Sequence, residues 1–152
     1  MYDNNRFRWS RILFFGILLV AIAFLQSNNF LIFGVKPNLI LVALIVFSFL
    51  VTDFASYAVL ILLTLVMMRS RPGWDLSLVS LGLVGIGSWF VKQIMPGRDS
   101  LNLAIAIIFS TIIFYGLIDP NFLYSEWLTS VIEAGYNLVA GFILYYTLKR
   151  NV

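Results

Sequence analysis

Long apolar runs alternate with short clusters of charged, amide, proline and glycine residues along the whole chain. Crossing the hydrocarbon core of a membrane takes about 20 apolar residues, with a range of about 17–25. The first run covers residues 12–25, behind Arg6, Arg8 and Arg11 and ahead of Gln26-Ser27-Asn28-Asn29. A basic flank before a short apolar stretch has the look of a secretory signal. Phe24-Leu25-Gln26 offers no small-x-small cleavage site, however, so a retained helix is predicted. Lys36-Pro37-Asn38 then interrupts the chain, and proline suits the start of a helix. The second helix is predicted over 37–51 and, after Thr52-Asp53, the third over 54–68. Arg69-Ser70-Arg71-Pro72-Gly73 is a strong stop. The fourth helix covers 76–95, Pro96-Gly97-Arg98-Asp99 makes a turn, and the fifth covers 101–118. Asp119-Pro120-Asn121 opens the last loop, and a sixth helix runs over 126–148, closed by Lys149 and Arg150.

Residues 37–68 can be read as one long helix or two short ones. Positive residues concentrate on the cytoplasmic side of membrane proteins. Six spans place Arg6, Arg8, Arg11, Lys92, Arg98, Lys149 and Arg150 inside against Lys36, Arg69 and Arg71 outside, seven to three. Five spans divide the same ten residues five to five. A single helix would also hold Asp53 near the bilayer centre, at a cost of about 2.5–3.5 kcal/mol. The expectation is therefore an all-α polytopic bundle of about six transmembrane helices. It forms a single domain over 1–152, with both termini cytoplasmic: a basic tail over 1–11 and a short tail over 149–152. No polar connection is long enough for a soluble catalytic domain.

Composition sharpens this picture. Hydrophobic residues make up 61% of the 152 and charged residues 11%, against about 45–50% and about 25% in soluble domains. A soluble fold of this size could not bury so much apolar surface. The formal charge of +3 sits at the ends of apolar segments, which is a membrane pattern and gives no reason to invoke nucleic acid. Cysteine and histidine are both absent, so no disulfide, thiolate metal site or histidine base is available. Neither lysine within reach of a span is expected to be buried, and Asp53 and Asp119 fall at opposite faces. Catalysis and a cofactor are not expected.

Of the seven acidic residues, six lie in the tail, in turns or at helix ends, where caps and interfacial charge account for them. Glu133 differs. It stands seven residues beyond Glu126, about 10 Å into the sixth helix, and an ionisable group at that depth is a functional candidate, as a proton or ion ligand. The alternative is a carboxyl held by a neighbouring helix or by a partner subunit. On the same helix Ser130, Ala134, Asn137 and Gly141 share one face. Small and polar residues at this spacing let backbones approach and exchange hydrogen bonds, which marks a packing surface, internal or towards a partner. Gly82, Gly85, Gly87 and Ser88 make a second thin patch on the fourth helix. Phe and Leu dominate the other faces, which is lipid contact.

Three stretches carry a family resemblance: Leu25-Gln26-Ser27 through Gly34-Val35-Lys36-Pro37-Asn38-Leu39-Ile40-Leu41, the turn Met95-Pro96-Gly97-Arg98, and Ala134-Gly135-Tyr136-Asn137-Leu138 through Leu148-Lys149-Arg150. Together they resemble the rod shape-determining protein MreD family of bacterial membrane proteins. Gln26, Pro37, Tyr136 and Asn137 match the family pattern. Asn38 stands where the family often has Asp, and residues 53–68 lack its glycine-rich segment ending in Leu-Asp. The resemblance implies a non-enzymatic scaffold of the cell-elongation complex in the bacterial inner membrane, supporting peptidoglycan synthesis. The partners it implies are a single-span MreC-like protein, the actin-like MreB filament, the RodA glycosyltransferase and a class B penicillin-binding protein.

A reading from a different class is the substrate-binding membrane subunit of a vitamin-type importer. Such a subunit needs a concave polar site, for which Glu133, Asn137, Asn28, Asn29 and Trp74 are the candidates, and Ala23-x-x-x-Ser27 is its one small-residue docking motif. An ion- or proton-conducting subunit rests on Glu133 alone.

Overall fold

A computed structural model describes residues 3–27, 34–69 and 75–150. Asn28, Asn29 and Trp74 lie outside the described residues. Within them the chain forms α1 (Asp3–Ser27), α2 (Leu39–Leu50), α3 (Phe54–Met68), α4 (Leu76–Ile94), α5 (Asp99–Ile118), α6 (Pro120–Ser125) and α7 (Trp127–Lys149). The protein is an all-helical membrane protein. Four helices, α1, α4, α5 and α7, are long and apolar enough to cross a membrane, and α2 and α3 are shorter apolar helices.

Helix starts follow local chemistry. A helix leaves its first N–H groups without internal partners, and a short polar side chain ahead of it can accept from them. Asn38, Asp53, Asp75 and Asp119 do this for α2, α3, α4 and α6. Asp53 accepts from the Ser56 amide at 2.8 Å, with Val51 extended just before it. Residues 37–68 are accordingly two helices. Pro120 stands at the first position of α6, where its missing N–H costs nothing. That Asp-Pro pair explains a short helix where a plain loop was predicted. The first helix also starts earlier than expected, at Asp3, because nothing between Asp3 and Ile12 breaks it. Most of the predicted N-terminal tail is therefore helical. At the α4–α5 turn Gly97 takes φ +138°, a conformation that L side chains rarely adopt. The Asn102 side chain closes the turn by donating to the Met95 carbonyl at 3.1 Å.

α2 is the hub. It touches α1, α3, α4, α5 and α7. Those five form an arc, α1 on α3, α3 on α4, α4 on α5 and α5 on α7, and α1 and α7 do not touch. Every residue of α2 from Ile40 to Ser48 is buried, as expected of a helix that is apolar all round. Phe47 packs on Phe15 of α1 with ring centroids 4.7 Å apart. Gly141 lets α7 close onto the hub, because a Cβ there would overlap Ile107 of α5 and meet Val42 of α2 at 3.4 Å. On the opposite side Gly82 and Gly85 of α4 admit Leu65 and Ile61 of α3. The Tyr57 hydroxyl, on α3, lies 3.1 Å from the Leu44 carbonyl, 3.0 Å from the Gly85 carbonyl and 3.1 Å from the Ser88 hydroxyl. Its ring stacks on Trp89 at 5.4 Å. Three helices thus meet at one phenol.

No described lysine is fully buried, but Lys92 is drawn partly into the bundle. It is half-buried, and its ammonium donates to the Ser48 and Val51 carbonyls at 2.8 and 3.0 Å, 5.0 Å above the Trp89 ring. A cation from α4 therefore closes the C-terminus of α2, the end where a helix dipole favours positive charge. Removing the donor leaves buried carbonyls unpaired, which costs about 1–3 kcal/mol. Lys92→Met is expected to lower the thermal unfolding midpoint in detergent, and Lys92→Arg to retain most of it.

Candidate functional site

The other end of α2 gathers the polar residues singled out in the sequence. Asn38 caps its own helix, its side-chain oxygen accepting from the Leu41 amide at 3.2 Å. The Asn38 amide donates to the Asn137 side chain of α7 at 3.0 Å. Gln26, in the last turn of α1, accepts from the Ile40 amide at 2.9 Å and donates to the Asn38 side chain at 3.4 Å. The Asn137 side chain also donates to the Thr111 hydroxyl of α5 at 3.2 Å, and Thr111 donates in turn to the Ile107 carbonyl at 2.9 Å. α1 and α7 therefore supply side chains to the first turn of α2, and Thr111 of α5 braces the α7 side chain.

Length explains why. α2 has 12 residues, about 18 Å at 1.5 Å per residue, against a hydrocarbon core of about 30 Å. Its start is level with Asn137, ten residues beyond Trp127 in α7, which is about 15 Å from that helix's N-terminus. The first turn of α2 thus begins within the bundle, where each unpaired buried amide would cost several kcal/mol.

One turn along α7, Glu133 is 3% exposed and accepts from the Tyr115 hydroxyl of α5 at 2.6 Å. It is held by a neighbouring helix. The Ser130, Ala134, Asn137 and Gly141 face turns inward in a graded way: Asn137 and Gly141 are buried, Ser130 and Ala134 half-buried. The Ser130 hydroxyl donates to the Glu126 carbonyl at 3.2 Å. Pro37 is buried just ahead of the Asn38 cap. Tyr136 is half-buried and makes none of these bonds. On α4, Gly87 parts from its neighbours, with nothing within 4 Å of a Cβ built on it.

A third polar group ties the opposite end of the bundle. Asp99, opening α5, pairs with Lys149 of α7 at 3.0 Å and accepts from the Tyr145 hydroxyl at 3.2 Å. Both charged side chains of that pair are more than half exposed, so it contributes at most about 1 kcal/mol. Among the described residues no group of three or more acidic residues could hold a metal ion.

Sequence reasoning did not find Lys92, Tyr57, Thr111 or Tyr115. Thr111 and Tyr115 stand four apart on α5, the spacing of one helix face, as Glu133 and Asn137 do on α7. That matched spacing was the available signal. Compared with protein-family models, curated proteins and solved structures, the chain matches none.

Asn137→Leu keeps the branching at Cγ but leaves the buried Asn38 amide without its acceptor, at a cost of about 1–3 kcal/mol. It should lower the unfolding midpoint in detergent. Tyr136→Phe, which removes a hydroxyl outside the cluster, should leave the midpoint within the scatter of wild type.

Proposed function

We propose that this protein is a non-enzymatic scaffold of the bacterial inner membrane, crossing it six times with both termini in the cytoplasm. In this reading α2 and α3 supply two crossings, shielded from lipid or tilted within the bundle, and Asp53 caps the turn between them. The scaffold supports peptidoglycan synthesis as a member of the cell-elongation assembly. Its partners are an MreC-like single-span protein together with MreB, RodA and a class B penicillin-binding protein. The sequence resemblance to the MreD family is the source of these partners.

The observation that supports a scaffold is the closure of the polar interior. Asn38, Asn137, Gln26 and Thr111 pair with one another or with backbone groups of α2 and α5, and Glu133 with Tyr115. Groups so engaged hold helices together. Recognition then falls to the apolar outer faces, where Leu83 and Phe109 stand exposed. The absence of histidine and cysteine from the chain agrees with a role that needs no chemistry.

The importer-subunit reading keeps one specific support. Glu133 and Asn137 lie beside the N-terminus of a helix that begins inside the bundle, an arrangement that transporters use to hold ligands. Purification of the tagged protein in mild detergent, with mass spectrometry of what accompanies it, separates the two. Under the scaffold reading wall-synthesis proteins come with the wild type and equally with Glu133→Gln, whose amide oxygen still accepts from Tyr115. Recovery of ATPase subunits or a bound metabolite, lost in Glu133→Gln, would contradict it.

A further inference from the structure

We infer that the groove between α4 and α5 seats a single transmembrane helix of a partner protein, which presents a hydrogen-bond acceptor to Ser110. The inference rests on the scaffold reading and gives it a contact surface. The groove has a volume of about 450 Å³ and is lined on α4 by Gly87, Ser88 and Val91 and on α5 by Ala106, Ser110 and Ile113. Along α4 it extends from Leu83 to Met95, about 18 Å or three turns of a docked helix.

Two independent features point to a helix as the occupant. The first is Gly87. Gly82 and Gly85 admit side chains of α3, but a Cβ at Gly87 would meet open space, so its missing side chain serves nothing within the described chain. The second is the Ser110 hydroxyl. Ser110 is 7% exposed and lines the groove, and among the described residues its hydroxyl has no hydrogen-bond partner. The hydroxyls of Thr64, Ser88 and Thr111 each donate to a carbonyl in the preceding turn. Within lipid, helices associate through close approach over small residues and hydrogen bonds between helices. An acyl chain could fill the volume but carries no acceptor. A helix offers side-chain acceptors and backbone carbonyls with a second lone pair.

The test uses photo-crosslinking residues placed singly at Leu83 and Ile113, on the groove rim, and at Val139, on the outer face of α7, in native membranes. All three positions are exposed. The groove positions should each give an adduct whose linked peptide maps to a transmembrane segment of another protein, and Val139 should not give that adduct. Gly87→Leu, which fills the groove, should abolish the adduct, and Ser110→Ala should reduce it about threefold, the effect of one interhelical hydrogen bond in a membrane. If Gly87→Leu does not fold, the two rim positions in the unsubstituted chain still decide. Adducts with lipid only, with a second copy of this chain, or equally from Val139 would overturn the inference, as would an undiminished yield in folded Gly87→Leu. A helix from a protein outside wall synthesis would leave the groove assigned and sink the scaffold reading. Wall-synthesis proteins that co-purify while the rim links only to lipid would do the reverse.

Discussion

A helix that starts within a membrane bundle must find partners for the amides of its first turn among its neighbours. The structure is organised around that constraint. Each end of a helix leaves backbone groups without internal partners, and in apolar surroundings such groups must be satisfied from elsewhere. α2 meets the requirement with side chains borrowed from its neighbours: Gln26 and Asn137 at its N-terminus and Lys92 at its C-terminus. Three of the longer helices are thereby locked to this short apolar helix, and their register follows from where those side chains stand.

Packing follows from the same arrangement. Lipid is as apolar as leucine, so helices in a membrane gain little by hiding apolar faces from it. Close approach and hydrogen bonds must hold the bundle. Gly141 allows α7 to close on α2 and α5, Gly85 allows α4 to close on α3, and Tyr57 links α2, α3 and α4 through one hydroxyl. The arc of five helices has its two ends at α1 and α7, which meet only through α2 and the Gln26–Asn38–Asn137 chain of bonds.

Much of this was legible in the sequence because membrane helices write themselves as apolar runs between breakers. The third helix lies over the predicted residues, and the boundaries of the other predicted helices shift by at most two residues except at the start of α1. Arg and Asn residues there look like a polar tail, yet nothing in them stops a helix. Gln26, Pro37 and Asn38 were singled out in one stretch and Asn137 in another nearly a hundred residues on, and the fold brings all four to one helix end. Their role was not legible, because it depends on α2 being shorter than its neighbours and sunk among them. The same holds for Lys92: in sequence it is one more basic residue near a helix end, and only the position of Ser48 and Val51 makes it a cap. Seam spacing placed Asn137 and Gly141 on one face without saying whether that face looks inward. The structure turns it inward.

The polar groups at the two ends of α2 are engaged in holding the helices together. The hub itself is open to direct measurement by hydrogen exchange in nanodiscs, resolved to the amides of residues 38–50. Capped and buried at both ends, the amides of Asn38, Ile40 and Leu41 should exchange as slowly as those at the centre of the helix, and Asn137→Leu should release Asn38 first. Fast exchange of that first turn in the wild type, at the rate of an ordinary frayed helix end, would contradict the buried, side-chain-capped hub on which the rest of the structure depends.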